Sequence, residues 1–204
     1  DRNITQKSNP DLDPERIQTY EFVVEQYFKN YRFSISGFYY NIRNLISLTT
    51  DPSDGLLVFR NIDKVEAKGA EFEVEGKWQH GVEAKINYTF QQATNKDTGR
   101  ILVNSPKHLI KSSLFIPIVG KKLSTGIGLQ YSGRRNTLAG TYAGGAFLCN
   151  TTLMSQDLIK GLEVSGSIYN IFDKKYGFPA SGEHLQQIIE QDGRTFRLKL
   201  TYKF

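Results

Sequence analysis

Hydrophobic and polar residues alternate along most of this chain with a period of two. In residues 82 to 91, Val82, Ala84, Ile86, Tyr88 and Phe90 fill one set of positions and Glu83, Lys85, Asn87, Thr89 and Gln91 the other. Successive side chains on a strand point to opposite faces, so the segment predicts a strand with one apolar and one polar face. "GAEFEVEGKW" repeats the pattern, with Ala70, Phe72, Val74 and Trp78 opposite Glu71, Glu73, Glu75 and Lys77. The chain also closes on it. In "GRTFRLKLTYKF", Phe196, Leu198, Leu200, Tyr202 and Phe204 alternate with Thr195, Arg197, Lys199, Thr201 and Lys203.

Read this way, the chain predicts nine strands: 17–28, 31–48, "GAEFEVEGKW", 82–91, "HLIKSSLFIPI", "KLSTGIGLQYSG", "FLCNTTLMSQDL", "LEVSGSIYNIFDKKY" and the terminal segment. The second is expected to bulge near Tyr40 to Arg43, where alternation slips. Connections near 29, 80, 119 and 160 are short, whereas those at 49–58, 95–106, 135–146 and 177–193 are long. One end of the sheet is therefore trim and the other carries loops, the asymmetry of a transmembrane β-barrel with short periplasmic turns and long extracellular loops. Tyr27, Tyr31 and Trp78 fall beside short turns, and Tyr131, Tyr169, Phe172 and Tyr176 toward the looped end. Such rings suit the two membrane interfaces. Alternation alone leaves open which face points inward.

Composition narrows the classes. Mean hydropathy is −0.42, and no apolar run approaches the roughly 18 residues of a transmembrane helix. A membrane barrel stays allowed, because only half of each strand faces lipid. The net charge of +5 is spread along the strands rather than gathered in the patch of a nucleic-acid binder. One cysteine, Cys149, permits no internal disulfide, and the three histidines have no zinc-type spacing. "DPSDG" and "NKDTG" have the composition of turns and lack the later bidentate glutamate of a calcium loop. Neither a metal, a cofactor nor an enzyme is expected.

An odd strand count does not close an antiparallel sheet in the usual way, and an open sheet leaves edge groups unpaired in lipid. The N-terminus shows no signal peptide. Both observations lead to the expectation that strands are missing on the N-terminal side.

Beyond these patterns, "NPDLDPERIQTYE", "NIDKVEAKGAEFEVE", "NSPKHLIKSSL", "SIYNIFDKKYGFP" and the terminal "RTFRLKLTYKF" follow one another in an order that resembles the C-terminal part of a TonB-dependent outer-membrane receptor. The resemblance spans residues 1–204 as a single partial domain. It implies an all-β antiparallel barrel of 22 strands with a plug folded inside. It further implies a bacterial outer-membrane location, energy from the TonB complex through the missing plug region, and uptake of a ferric siderophore, haem or cobalamin. The apolar face of the terminal strand then meets outer-membrane lipid. Phe196, Leu198, Leu200, Tyr202 and Phe204 would form the signal read by the barrel-assembly machinery. Two other readings stand beside this one: a passive channel or structural barrel, and a soluble β-barrel holding an apolar ligand. The last predicts apolar faces inside and Glu71, Glu73, Glu75, Glu83, Lys85 and Lys199 outside.

For a receptor, ligand contacts belong on the long loops. Arg134, Arg135 and Tyr142 offer cationic and aromatic groups to an anionic chelate, with Phe178 and His184 in the last loop as further candidates.

Overall fold

The computed structural model describes residues 5–61, 64–120 and 122–203. Its principal element is one antiparallel sheet of nine strands: β1 (Arg16–Phe28), β2 (Tyr31–Arg43), β3 (Val65–Lys77), β4 (Glu83–Asn95), β5 (His108–Val119), β6 (Leu123–Ser132), β7 (Ala146–Ile159), β8 (Leu162–Tyr169) and β9 (Thr195–Tyr202). Each strand pairs with its neighbours in sequence, a plain meander from β1 to β9. All nine expected strands are present. No helix is long and apolar enough to cross a membrane, which leaves crossing by strands untouched.

Register aligns the two faces across the whole sheet. Val24 stands opposite Ile35, Ile35 opposite Phe72, Phe72 opposite Tyr88, Tyr88 opposite Ile110, Ile110 opposite Tyr131 and Tyr131 opposite Phe147. On the other side, Ser34, Glu73, Asn87 and Lys111 form an equally continuous polar row. A slip of one residue in β1, β3, β4 or β9 would carry charge into the apolar face, so in these strands the alternation itself fixes the pairing.

Burial runs opposite to that of a soluble protein. Phe72 and Val74 are 45% and 38% exposed, while Glu71, Glu73 and Glu75 between and beside them are half-buried. Among the described residues the buried hydrophobics are Val58, Val65, Ala143, Ala146 and Ala180, all toward the looped end. A soluble barrel would bury its apolar face, so this arrangement removes the soluble reading and assigns the apolar face to lipid.

Two strand limits differ from the sequence expectation. β2 ends at Arg43, and its register with β1 is unbroken from Arg16–Arg43 to Phe28–Tyr31, so no bulge occurs at Tyr40 to Arg43. The slip in alternation marks instead the exit from the sheet at Asn44, which takes φ 58°, before Ile46–Thr50 starts a separate hairpin with Leu57–Asn61. β8 likewise stops at Tyr169 rather than running to Tyr176. Asn170, at φ 50°, is buried and knits the next turn, its backbone N–H donating to Asn150 Oδ1 at 2.8 Å and its Nδ2 to the Lys174 carbonyl at 3.0 Å. Register does shift at Pro117 to Val119, where proline has no N–H to give to the ladder, and between Gln156 and Ile159.

The aromatic belts also need adjusting. Tyr31 and Trp78 meet edge-to-face at 5.7 Å on the outward side beside the short turns, with Trp78 Nε1 donating to the Tyr31 hydroxyl at 3.1 Å. Tyr27 and Tyr169, by contrast, stand on the polar face by register, where Tyr27 donates to Glu25 at 2.9 Å. At the looped end the outward rings are Tyr131, Phe147 and Phe172, the last two stacked at 6.3 Å.

Candidate ligand-binding face at the looped end

Long connections leave the sheet at one end only, and each folds into a small structure of its own. After β2 comes the Ile46–Thr50/Leu57–Asn61 hairpin, to which Gln6–Lys7 adds in parallel at Leu57 and Val58. Its turn is closed by Gly55 N–H to the Asp51 carbonyl at 2.9 Å. The Asp51 carboxylate accepts from Lys7 and Arg60, both at 2.6 Å, and from the Ser53 hydroxyl at 2.7 Å. Lys7 and the Ser53 donors hold this carboxyl far below the ordinary carboxylate range. The "DPSDG" segment is thus a turn whose carboxylate is saturated by its own chain.

Between β6 and β7, Arg135–Asn136 pairs with Tyr142–Ala143. Between β8 and β9, Gly177–Pro179 pairs with Ile188–Glu190. The two loops are tied together, Thr141 Oγ1 donating to Gln187 Oε1 at 3.1 Å. The β4–β5 loop joins them through Asn104 N–H to the Asn136 carbonyl at 3.0 Å. Three long connections therefore act as one surface.

Within it the two adjacent arginines part company. Arg135 lays its guanidinium over the Phe178 ring at 4.3 Å and donates to Asn104 Oδ1 at 2.8 Å and Ser132 Oγ at 3.0 Å. Burial lowers its pKa, because partial removal from water disfavours the cation. Arg134 turns elsewhere and covers the Tyr142 ring at 4.5 Å. The sequence grouping of Arg134, Arg135, Tyr142 and Phe178 resolves into two cation–aromatic pairs. His184 joins neither; it lies exposed in a turn with its backbone N–H on the Ser181 carbonyl at 3.2 Å.

Next to the Arg135 pair opens a cleft of about 470 Å³, lined by Leu48, Phe59, Val103, Asn104, Leu138 and Pro179 among others. Three loops and the hairpin after β2 contribute to it. Leu138 is 62% exposed, an apolar side chain open to solvent. Sequence reasoning missed these apolar members. Their signal was present as hydrophobic residues inside otherwise polar loops, "GLLVF", "RILVN" and "NTLAG". The charged side chain in its lining is Glu183, and the Arg135 guanidinium stands behind Asn104 at its edge. Apolar walls with charges of both signs at the rim suit an organic ligand that carries polar groups.

Below the loops, the polar face carries an ion network. Arg32 pairs with Glu25 at 2.8 Å, with Glu75 at 3.1 Å and with Glu73, while Lys85 reaches Glu73 at 2.9 Å. At the far edge, β9 presents Arg197 and Lys199 to the same side.

A family model for the TonB-dependent receptor β-barrel matches residues 2–171. The chain belongs to the TonB-dependent receptor family. Family members are outer-membrane transporters or receptors of Gram-negative bacteria rather than enzymes, and they work with TonB and a ligand. A curated relative, the ferric-pyoverdine BN7/BN8 receptor of Pseudomonas putida, is 23% identical over 85% of this chain and 21% of its own length. The ferric-catecholate import receptor Fiu from K12 E. coli shares the fold at a TM-score of 0.72 and 21% identity, over 96% of this chain and 29% of that one. The pyoverdine receptor FpvA from Pseudomonas aeruginosa PAO1, bound to pyoverdine, does so at 0.72 and 18%, over 95% and 30%. The chain thus spans about a fifth of the curated relative and under a third of these solved barrels.

Against this family, the described apolar residues of the terminal segment all face outward. Phe196, Leu198, Leu200 and Tyr202 are exposed on the lipid face of β9, and Phe204 lies outside the described residues.

Proposed function

We propose that this TonB-dependent receptor chain supplies part of the barrel wall and the ligand-facing loops of an active importer for a ferric siderophore. The observation that carries the reading is the looped-end surface, where an apolar cleft with Glu183 in its lining adjoins, through Asn104, the Arg135 guanidinium held over Phe178. A ferric siderophore presents anionic oxygens and organic bulk together, which this pairing matches. Haem or cobalamin would ask more of aromatic stacking or of a metal-ligating histidine, and His184, next to the cleft-lining Glu183, is not itself in the lining. The names of the pyoverdine and catecholate receptors among its relatives favour the same substrate class.

In this reading the polar face of the sheet meets a plug, and TonB acts through that plug. The outward Phe196, Leu198, Leu200 and Tyr202, with Phe204, serve as the signal for the barrel-assembly machinery.

The test is uptake by cells that depend on the intact receptor, grown under iron limitation with radiolabelled ferric pyoverdine and ferric catecholate supplied separately. Saturable uptake of one of them that is lost in a TonB-deficient strain supports the proposal. Unchanged uptake after deletion of the receptor, for both chelates, overturns it.

A further inference from the structure

The two ends of the polar face differ in their charges. At the looped end both signs occur, Asp51, Asp97 and Glu183 beside Arg60, Arg134 and Arg135. The four turns of the trim end, 29–30, 78–82, 120–122 and 160–161, hold lysines and one histidine and no acid. Phe28, Leu123 and Ile159 face outward where β1 ends, β6 begins and β7 ends, so alternation carries Lys29, Lys122 and Lys160 beside them to the inward, polar side. Lys29 accordingly lines a hollow of about 570 Å³ with Tyr27, Arg32, Glu75 and Lys77 of the polar face, among others. Backbone bonds fix the turns to their neighbours: Lys77 N–H donates to the Asn30 carbonyl at 2.9 Å and Gln156 N–H to the Lys122 carbonyl at 2.8 Å.

The acids of the polar face near these turns are already matched. Arg32 holds Glu25 at 2.8 Å and Glu75 at 3.1 Å, Lys77 stands 3.7 Å from Glu83, and Lys203 binds Glu163 at 2.5 Å. Lys29, Lys122 and Lys160 are exposed and have no acidic partner among the described residues. They form a surplus of one sign, spaced along the rim at multiples of roughly 10 Å, since a short turn recurs every second strand and strands lie about 4.8 Å apart. A mouth lined by one sign of charge concentrates the opposite sign there.

Their inward placement decides what they meet. Lipid lies against the other face, where Tyr31 and Trp78 stand, so the lysines look onto the mouth of the lumen, which the short turns place on the periplasmic side. What passes that mouth under the proposed function is an anionic chelate, and the inference rests on that reading. The residue type also differs between the two ends. Arg135 presents a planar fork clasped by Phe178 and Asn104, whereas a lysine is a hydrated point charge on a flexible stem. A clasped contact suits capture, and a loose one suits release. We propose that Lys29, Lys122 and Lys160 form an exit station, a transient site at the periplasmic mouth where the anionic oxygens of the chelate are drawn from the lumen and let go.

The experiment uses the intact receptor in iron-limited cells, with radiolabelled ferric catecholate and ferric pyoverdine as probes, and separates surface binding in a TonB-deficient strain from uptake in a TonB-competent one. With Lys29→Gln, Lys122→Gln and Lys160→Gln combined, surface binding should be unchanged while the maximal uptake rate falls about tenfold, the low end of what a single-sign cleft contributes to local concentration. The corresponding three arginine substitutions, which keep the charge, should recover uptake. Where the triple glutamine variant is absent from the outer membrane, Lys160→Gln alone should give the same split with a smaller loss. An unchanged maximal rate in the glutamine variants overturns the exit station and leaves the importer reading standing. No uptake of either chelate by the unaltered receptor removes that reading, and the exit station with it. Slower uptake accompanied by leakage of a large antibiotic, or by weaker crosslinking to TonB, would make the lysines a seat for the plug or for TonB and overturn the proposal.

Discussion

Phe72 and Glu73 are neighbours in the chain with exchanged environments: the phenyl ring is 45% exposed, and the carboxylate is covered by Arg32 and Lys85. The inversion repeats along β3 and across the sheet, and it decides the surroundings of each face. An apolar face left outside at this extent costs free energy in water and none in hydrocarbon.

A charge placed on that face should therefore be tested against one on the other. Leu198 stands opposite Gly166 on the outward side of β9. Leu198→Arg is expected to destabilise the membrane-inserted barrel by about 2–4 kcal/mol if the site is at mid-bilayer. Ser165→Arg, on the polar face of β8, should cost far less. Urea titration of both variants of the intact receptor folded into lipid vesicles checks this, and equal losses would remove the assignment of faces.

The Arg32 network makes a second prediction. Removing the guanidinium leaves Glu25, Glu73 and Glu75 close together, with Lys85 on Glu73 and a looser Lys77, at 3.9 Å from Glu75, to balance them. Arg32→Met should lower the urea midpoint, and adding Glu73→Gln should recover part of the loss, because a like charge is then gone. A double variant as unstable as the single one would mean that Arg32 acts through packing alone.

Much of this was legible in the sequence because strand alternation is a local signal. Over 70–78, 82–91 and 196–202 apolar residues fall at every second position and mark both strand and face, whereas β5 and β7 carry Ser112 and Thr151 on the outward side and were marked as much by the turns that bound them. The errors came where local signals end. "FYYNIR" looked like a bulge because its polar and aromatic residues break alternation, but the chain was leaving the sheet through Asn44. "YNIFDKKY" kept an alternating look while the side chain of Asn170 folded it into a turn. The loop surface was less legible. Nothing in the order Arg134, Arg135 shows that one guanidinium goes to Phe178 and the other to Tyr142. That division depends on contacts between loops more than forty positions apart in the chain, such as Arg135 with Phe178.

Arg135 carries a third prediction. Its planar fork spans the Phe178 ring, Asn104 and Ser132 at once, which the point charge of lysine cannot reproduce. Arg135→Lys should free the last loop from its neighbour and raise protease cleavage within 177–190 on the intact receptor. In the proposed function the same variant weakens chelate binding. Unchanged proteolysis together with lost binding would leave Arg135 a direct ligand contact and not a loop clasp.

Acid should open the hairpin after β2. The pKa of Asp51 is depressed, chiefly by the hydrogen bond from Lys7 and those from Ser53, and Asp54 is lowered by Lys7 as well. Depressed carboxyls contribute stability that is fully present above their unfolded value, near 3.8, and is lost as pH falls through the folded values. Lys7 is raised by the same partners, so its contribution is complete below its ordinary 10.5 and lost above. The docking of Gln6–Lys7 on Leu57–Val58 should accordingly be firm from about pH 4 to 10 and loosen outside that window. Hydrogen exchange of the Leu57 amide, which donates to the Thr5 carbonyl at 2.9 Å, reports it directly. After correction for intrinsic exchange, protection should fall between pH 4 and pH 2 in the unaltered protein. In Asp51→Asn it should be low throughout and change less with acid. Protection that stays constant down to pH 2 would show that backbone pairing, and not the Lys7–Asp51 pair, holds the N-terminal strand in place.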